Sequence, residues 1–364
     1  MEEAKEETRS IDVFPLKKGK RTLLFLADFF IAFIIGVFLF SFAVFPAGKA
    51  ISKYDSKANV INENQTEQGT LLIQNKLLYQ EEDSTGFEDD LSYTERLFLD
   101  KMINGNDTDV FENYYVKVLG LTYKEFNEVY KKSGGSFFFT FDEEKGPSLS
   151  DPYATEFITI LDKRDTPSSK VKSDYNSFTS SFFVPFYSAM LSSLRTEGSV
   201  PSSNPLSQIA SLYEESQRLQ KENDITVQVC SYVTYVIVII GLYFFVPLFN
   251  RRSQTLGMMI MKCVYVDKKS FTLLPKKETP LRALFSLILN IPMVFFFPLA
   301  YVEFTYLFSY SYVLYPSLFS LVLQITSLFF IIFSEHTQGL EDIVANDIVI
   351  TRDTYDTIIR SRGQ

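Results

Sequence analysis

The amino-acid sequence predicts an α-helical integral membrane protein with four transmembrane helices, a small cytoplasmic β-hairpin element and a mainly helical extracytoplasmic domain. The first observation is a set of long uncharged apolar runs at residues 29–48, 225–250 and 304–334. At ~1.5 Å per residue, even the shortest run crosses the ~30 Å hydrocarbon core of a bilayer. The second observation is that basic residues flank these runs, and the third is a polar, acidic segment between the first two.

The acidity of the chain belongs to that one segment. The 364 residues include 35 Lys and Arg against 44 Asp and Glu, a net charge of −9. Residues 47–226 contribute 29 acidic and 18 basic side chains, a net of −11, so the remainder carries a net of +2. No basic patch with interleaved aromatic residues is present, and nucleic-acid binding is therefore not expected.

The first predicted transmembrane helix covers residues 16–46 and follows a charged tail, 1–15. A basic cluster at residues 17–21 precedes its apolar part, which places the N-terminus in the cytoplasm. A cleaved signal peptide would show the same order of basic and apolar residues. The apolar region is longer than the ~7–15 residues typical of a signal peptide and contains Asp28, so a retained span is predicted.

Residues 47–224 are predicted to form the extracytoplasmic insert domain. Apolar residues recur with helical spacing over residues 91–132. Residues 177–194 are interpreted as an amphipathic helix, either lying on the membrane surface or, as the favoured alternative, carrying an ordinary buried face. Residues 206–221 are predicted to be helical and to continue into the next span.

The other three spans are predicted at residues 225–250, 283–303 and 310–334. The loop 251–282 has eight basic residues and two acidic ones, which indicates the cytoplasmic side. Within it, residues 261–274 are predicted to form the β-hairpin. Pro292 and Pro298 are predicted to kink the third span. The tail, 335–364, is assigned to the cytoplasm, and no internal repeat stands out.

The chain offers little material for catalysis. It has two cysteines, Cys230 in an apolar run and Cys263 in the basic loop, and no disulfide is predicted between them. It has one histidine, His336, and no Ser-His-Asp set, zinc-ligand spacing or phosphate-binding loop. We therefore expect no catalytic residue, no metal site, no cofactor and no enzymatic activity.

Several short motifs together resemble a known family. The loop contains Gln254-Thr-Leu-Gly257, and the segment after the last span contains Gln338-Gly-Leu-Glu-Asp342. With an arginine and an aspartate at the first span, their order resembles the RDD family of bacterial integral membrane proteins, which is named for one arginine and two aspartates. The matching positions in this sequence are Arg21, Asp28 and Asp342.

The resemblance covers residues 15–50 and 227–352. This sequence departs from the family pattern at Asn346-Asp347, where the family usually has a Gly-Thr pair, and in the size of its insert. The resemblance implies a multi-pass membrane protein, and it implies cation/proton exchange or a part in a transport system. It implies nothing about the insert.

Arg21 and Asp28 are seven residues apart, close to two helical turns, so both are predicted on one face of the first helix. With Asp342 they form the predicted charge cluster. The secondary candidates are Arg282, Asn290 and Gln338. Two roles stay open for Asp28. It is either a titratable carboxylate that binds a cation or proton, or a structural group paired with an arginine or with backbone N–H groups.

Two functional hypotheses follow. The first is transport of cations, protons or a small solute, with the charge cluster as the site. The second is a non-transporting membrane anchor or accessory subunit that displays the insert to a protein partner. The expected partners are the lipid bilayer, a monovalent cation or proton, and an extracytoplasmic protein or a second copy of the chain in a homo-oligomer. The expected location is the cell membrane, with both termini cytoplasmic.

Overall fold

The computed structural model describes residues 15–162, 167–273, 275–298 and 311–362. Its helices, in chain order, are α1 (Lys18–Leu39), α2 (Phe45–Ser52), α3 (Tyr54–Gln74), α4 (Phe87–Asn104), α5 (Val110–Glu112), α6 (Tyr123–Lys132), α7 (Asp151–Asp162), α8 (Ser169–Phe178), α9 (Val184–Leu194), α10 (Gln208–Ile239), α11 (Val246–Phe249), α12 (Leu256–Met261), α13 (Thr279–Leu289), α14 (Met293–Phe296), α15 (Ser311–Phe333), α16 (Leu340–Ala345) and α17 (Arg352–Arg362). Its strands are β1 (Phe139–Asp142), β2 (Gly146–Leu149), β3 (Cys263–Asp267) and β4 (Asp347–Thr351). Residues 1–14 of the predicted tail, residues 299–303 of the third predicted span and residue 310 of the fourth lie outside the described residues.

The chain forms two compact units. The first combines Met1–Tyr54 with Asn223–Gln364, and the second is Asp55–Glu222. The second unit lies within the predicted insert, 47–224. Three described helical stretches are long and apolar enough to cross a membrane, and they are Lys18–Ser52, Pro205–Phe249 and Tyr315–Phe333. These stretches correspond to the first, second and fourth predicted spans.

One side of α1 is apolar and uncovered by the first unit. Phe30, Ile34 and Phe38 are exposed, and their four-residue spacing places them along one side of the helix. Leu24 and Ala32 are buried on the other side. A helix that leaves a continuous apolar side free of protein contacts is suited to contact with lipid.

The third predicted span, 283–303, is not one continuous helix in its described part. α13 ends and α14 begins on either side of residues 290–292. Pro292 lacks an N–H group and its ring crowds the preceding turn, so the helix breaks there. The Asn290 side chain donates to the Ser286 carbonyl oxygen (Nδ2–O 2.8 Å) and closes the end of α13. The predicted kink is therefore a break.

The predicted first strand of the β-hairpin is present, but the predicted partner is wrong. β3 pairs antiparallel with β4, and Tyr265 lies opposite Val349 at the centre of the register. The predicted partner segment, 271–274, contributes only the bridge between Val266 and Leu273; its residue 274 lies outside the described residues. The first four residues of β3 and of β4 are all buried, so their pairing removes a large apolar surface from water.

A backbone motif occurs twice in the first unit, 84 residues apart. We call residues 254–267 the first motif and residues 338–351 the second motif. Each contains a six-residue helix, α12 or α16, which ends at a residue with positive φ and is followed directly by a strand. The positive-φ residues are Lys262 (55°) and Asn346 (52°). The repeat is not evident in the sequence because few of the paired positions carry the same side chain.

The two motifs also share a side-chain brace. Gln254 Nε2 donates to the carbonyl oxygen of Cys263 at 2.6 Å, and Gln338 Nε2 donates to the carbonyl oxygen of Asp347 at 2.6 Å. In each motif the glutamine thus ties the start of the helix to the first residue of the strand, nine positions later. The same brace at the same offset supports one folding pattern used twice.

The core of the second unit consists largely of aromatic rings. Phe98, Phe111, Phe182 and Phe186 are all buried in it, and the rings of Phe111 and Phe186 meet edge to face with centroids 4.1 Å apart. Such pairs add ~0.5–1.5 kcal/mol beyond the effect of area burial. Phe182 and Phe186 come from the helical segment 177–194, so its favoured interpretation, an ordinary buried face, is confirmed.

Candidate functional site

Asp342 lies between two buried arginines that come from different helices. Its Oδ2 accepts from Arg21 Nη2 at 2.5 Å, and its Oδ1 accepts from Arg282 Nη2 at 2.9 Å. Asp342 is 0% and Arg21 is 2% exposed. Burial raises the pKa of Asp342, but the two guanidiniums outweigh burial and hold that pKa below its usual value. The geometry therefore fixes Asp342 as an ionised group.

Asp342 also fixes the start of α16. The backbone N–H of Gly339 donates to Asp342 Oδ2 at 2.9 Å, which gives one otherwise unpaired N–H of the first turn an acceptor. The second motif thus carries its own carboxylate cap. Because that cap also binds Arg21 and Arg282, the same carboxylate orders α16 and attaches it to α1 and α13.

Arg282 has a second carboxylate partner, Asp347. Arg282 Nη1 donates to Asp347 Oδ2 at 2.5 Å, and the guanidinium lies over the ring of Tyr265, 3.6 Å from its centroid. Burial raises the pKa of Asp347 to about 7, against the lowering effect of Arg282. Asp347 and Asn346 are the departure from the family pattern. Asn346 adopts the positive φ that glycine adopts without strain, so the backbone turn persists.

Asp28 binds the first motif instead of joining Arg21 and Asp342, which corrects the prediction of a single cluster. Its Oδ2 accepts from Thr255 Oγ1 and its Oδ1 from the backbone N–H of Gly257, both at 2.8 Å. Within the described ranges, no arginine or lysine nitrogen lies within 4.0 Å of its carboxylate. Seven residues of α1 span ~10 Å, so the two charges reach different neighbours.

Gly257 makes room for this contact. A Cβ atom added at Gly257 would lie 2.6 Å from Asp28 Oδ1, closer than any side chain tolerates. The hydroxyl of Thr255 also accepts from the backbone N–H of Met258 at 3.3 Å, so the group that donates to Asp28 is itself held at the start of α12. The Thr-Leu-Gly sequence is therefore explained by the need to receive a carboxylate from another helix.

A cavity of about 40 Å³ lies beside Asp28 in the first unit. By the measure in which one water needs ~10–15 Å³, it has room for about three waters. Both Arg21 and Arg282 line it, and its other polar lining residues include Asp28, Tyr243, Thr279, Ser286, Asn290 and Glu341. The cavity is thus walled by carboxylate, hydroxyl and amide groups as well as by guanidiniums.

The charged groups that line the cavity are two carboxylates, those of Asp28 and Glu341, and two guanidiniums, those of Arg21 and Arg282. Asp342 and Asp347 do not line it, but they bind the two guanidiniums. With every carboxylate of this connected cluster ionised, it holds four negative charges and two positive ones. Buried charge without a partner is costly, so this arrangement favours the uptake of a cation or of protons.

The three secondary candidates have different positions. Arg282 belongs to the ion-pair cluster, and Asn290 lines the cavity at the break between α13 and α14. Gln338 is the brace of the second motif and does not line the cavity. In the part of the chain that the structure describes, no group of three or more His, Cys, Asp or Glu side chains is placed to hold a metal ion.

Sequence reasoning missed Thr255, Glu341 and Asp347 as site residues. Glu341 is 8% exposed; its Oε2 accepts from Ser327 Oγ at 3.0 Å, and its Oε1 lies 3.4 Å from Arg21 Nη2. Thr255 and Glu341 stand inside the motifs quoted for the family resemblance. The repeat would have singled out Glu341, because it occupies the position in the second motif that corresponds to Gly257.

These features define a membrane protein with long apolar helices and a buried charge cluster. The model of the RDD family matches residues 180–346, which confirms the resemblance to this family of membrane proteins over that part of the chain. The match includes Arg282 and Asp342, whereas Arg21 and Asp28 precede it. Neither a curated protein nor a solved structure matches the chain.

Proposed function

We propose that this protein moves a small monovalent cation or a proton across the membrane through the cavity beside Asp28. The observation that carries the proposal is the pair of carboxylates, Asp28 and Glu341, that line one cavity, while the two guanidiniums beside them are bound by Asp342 and Asp347 outside the lining. An ionisable group among apolar membrane helices is costly to keep, and a carboxylate there is a functional candidate by default. The protein acts in this proposal as a transporter and not as an enzyme.

Asp28 is the group in this proposal that takes up the cation or proton. Arg21 is engaged by Asp342, and Arg282 is shared between Asp342 and Asp347. Asp28 instead accepts two hydrogen bonds from neutral donors, and those bonds leave its charge uncancelled. A carboxylate that is oriented but not neutralised is suited to bind and release a cation.

The proposal includes an orientation. Both termini and the two motifs lie in the cytoplasm. The segment 47–224 lies on the extracytoplasmic side of the cell membrane. The basic residues at 17–21 and the pair Arg251-Arg252 support this orientation, because basic residues concentrate in cytoplasmic loops. The third span of the proposed topology, 283–303, returns the chain to the outside, and the fourth, 310–334, brings it back to the cytoplasm.

Flux measurements in proteoliposomes test the proposal. The purified protein is reconstituted, and uptake is measured for Na⁺, K⁺, Li⁺ and H⁺ in turn. Asp28→Asn is expected to reduce the transported ion's flux at least tenfold, because the amide keeps the size but not the charge. The control is Glu335→Gln, which removes an exposed carboxylate outside the cavity. Equal flux in both variants, or no flux of any ion in the wild type, contradicts the proposal.

The alternative is a membrane anchor that presents the second unit to an extracytoplasmic protein or to a second copy of the chain. The observation that favours it is the closed aromatic core of that unit, which contains no part of the cavity. Phe111→Ala is expected to loosen this core. The anchor hypothesis predicts loss of a cross-linked partner or dimer with no ion flux in any variant, whereas the transport proposal predicts flux that Phe111→Ala leaves in place.

A further inference from the structure

We propose that Glu341 is a second cation-binding carboxylate, and that Asp28 and Glu341 hold a monovalent metal cation between the two copies of the motif. The inference rests on the proposed function and goes further, because it names a ligand outside the arginine and two aspartates of the family pattern. It also names the chemical class of the ion.

The two motifs are structurally equivalent. Lys268 donates its backbone N–H to Asn346 O at 3.1 Å, and Arg352, 84 residues later, donates to Lys262 O at 2.9 Å. These reciprocal bonds make the two motifs mutual partners around an approximate two-fold axis. The same offset makes position 257 equivalent to position 341, the second residue of α12 and of α16.

A carboxylate stands at both equivalent positions. In the second motif, Glu341 supplies it with its own side chain. In the first motif, residue 257 is a glycine, and the carboxylate of Asp28 fills the space where a side chain of Gly257 would begin. Both carboxylates line the same cavity. The repeat therefore presents two acidic groups to one cavity, one at each copy of the motif.

Neither carboxylate has a short ion pair of its own. Arg21 Nη2 donates to Glu341 Oε1 at 3.4 Å but to Asp342 at 2.5 Å, so Asp342 is the main partner of that guanidinium. Glu341 Oε2 has the neutral hydroxyl of Ser327 as its donor. Asp28 likewise has neutral donors, which leaves two acidic groups available to a cation.

An independent observation points to a ligand in this cavity. Thr279 lines it and is 2% exposed, and its hydroxyl has no hydrogen-bond partner among the described residues. A buried hydroxyl nearly always has a hydrogen-bond partner. A buried Thr279 hydroxyl without one, in a cavity that two carboxylates also line, indicates that a bound ligand contacts it. A hydroxyl oxygen, together with carboxylate oxygens, is a ligand that hard cations prefer.

The size of the cavity selects the class of ion. Mg²⁺ dehydrates reluctantly and keeps several waters. Space for about three waters leaves no room for an ion with such a shell. A monovalent cation that gives up most of its water to two carboxylates, the Thr279 hydroxyl and neighbouring oxygens fits the space.

The test compares Glu341→Gln with Asp28→Asn in the reconstituted full-length protein, with Na⁺, Li⁺ and K⁺ as probes. Glu341→Gln is expected to raise the KM for the transported cation at least tenfold, and Thr279→Val is expected to raise it about threefold. Gln keeps an oxygen for the Ser327 hydrogen bond, so a purely structural role would leave KM unchanged. Glu335→Gln is the matched control.

A KM for Glu341→Gln within twofold of the wild-type value overturns the inference. If Asp28→Asn still loses ion flux, that result leaves the proposed function standing. If Asp28→Asn keeps its ion flux, the proposed function fails as well. Glu341→Asp covers the case in which the glutamine variant does not fold. Glu341→Asp keeps the negative charge, so its KM is expected to lie between the KM of the wild type and that of Thr279→Val. A KM for Glu341→Asp above that of Thr279→Val contradicts the inference.

Discussion

The first motif, 254–267, and the second motif, 338–351, have the same backbone but obtain their carboxylates in different ways. The second motif supplies Glu341 and Asp342 from its own helix. The first has Gly257 and Met258 at those positions and receives a carboxylate from α1. One repeat is thus self-sufficient, and the other is completed by a neighbouring helix.

The difference separates a structural role from a binding role. Asp342 is buried between two guanidiniums and caps its own helix, so its negative charge is already compensated by positive partners. Asp28 has only neutral donors and lines the cavity. Two aspartates that look equivalent in the sequence pattern therefore have different electrostatic neighbours, and our proposal gives them different roles for that reason.

The largest expected effect is from breaking the self-sufficient motif. Asp342→Ala leaves two buried guanidiniums without their shared partner, which typically costs ~3–5 kcal/mol. We expect a large fall in the melting temperature of the purified protein in detergent, with poor recovery of folded material. Asp353→Ala, which removes an exposed aspartate of α17, is the control and should melt like the wild type. A melting temperature for Asp342→Ala close to that of the control would show that the cluster is not the structural pin.

The next effect comes from closing the space that the first motif leaves open. Gly257→Ala places a methyl group 2.6 Å from Asp28 Oδ1, and overpacking of this kind costs ~1–3 kcal/mol. We expect a lower melting temperature together with reduced ion flux, since the carboxylate must move. Gly19→Ala on α1, where nothing lies within 4 Å, is the control and should be neutral. Unchanged flux in Gly257→Ala would mean that Asp28 is not held against this glycine.

The third prediction concerns the pH dependence introduced by Asp347. Burial raises its pKa to about 7, whereas an unfolded aspartate has a pKa of ~3.9, so the folded protein binds more protons in between. Stability is therefore favoured at low pH and falls as pH rises through 7, with a slope of at most ~1.4 kcal/mol per pH unit. Asp347→Thr should remove this slope between pH 5 and pH 8 in denaturation measurements. Parallel stability curves for the two proteins would contradict the assignment.

The smallest expected effect is on stability, at the two positive-φ residues Lys262 and Asn346. Lysine is strained in this conformation by ~1–2 kcal/mol, whereas asparagine tolerates it better. Lys262→Gly is therefore expected to stabilise the protein by up to ~1 kcal/mol, and Asn346→Gly by a few tenths at most. Melting temperatures of the two variants measure the difference. A larger gain from Asn346→Gly would indicate that the second turn, not the first, is the strained one.

The sequence predicted the elements of the fold better than their partners. Apolar length alone located the three stretches that the structure describes as long apolar helices. β3 was predicted correctly because its residues are apolar and β-branched, but its partner β4 lies 84 residues later, and nothing local marks that pairing. Pro292 signalled a disturbance, although whether a proline bends or breaks a helix depends on its surroundings.

The site was predictable as a set of residues but not as a set of contacts. The family resemblance singled out Arg21, Asp28 and Asp342, and helical spacing put the first two on one face. Spacing could not show that Arg21 reaches the second motif while Asp28 reaches the first. Glu341 was missed because its relation to Asp28 exists only through the repeated backbone.

The central claim, that Asp28 binds a cation in the cavity, is tested most directly by cation-dependent thermal stabilisation of the full-length protein in detergent. Melting temperatures of the wild type and Asp28→Asn are measured in Na⁺, Li⁺ or K⁺ against choline at equal ionic strength. A cation at 100 times its Kd stabilises a protein by ~2.7 kcal/mol, so one of the three ions should raise the wild-type melting temperature by several degrees. The same ion should leave Asp28→Asn unchanged. Equal stabilisation of the two proteins, or none of the wild type by any ion, would contradict the claim.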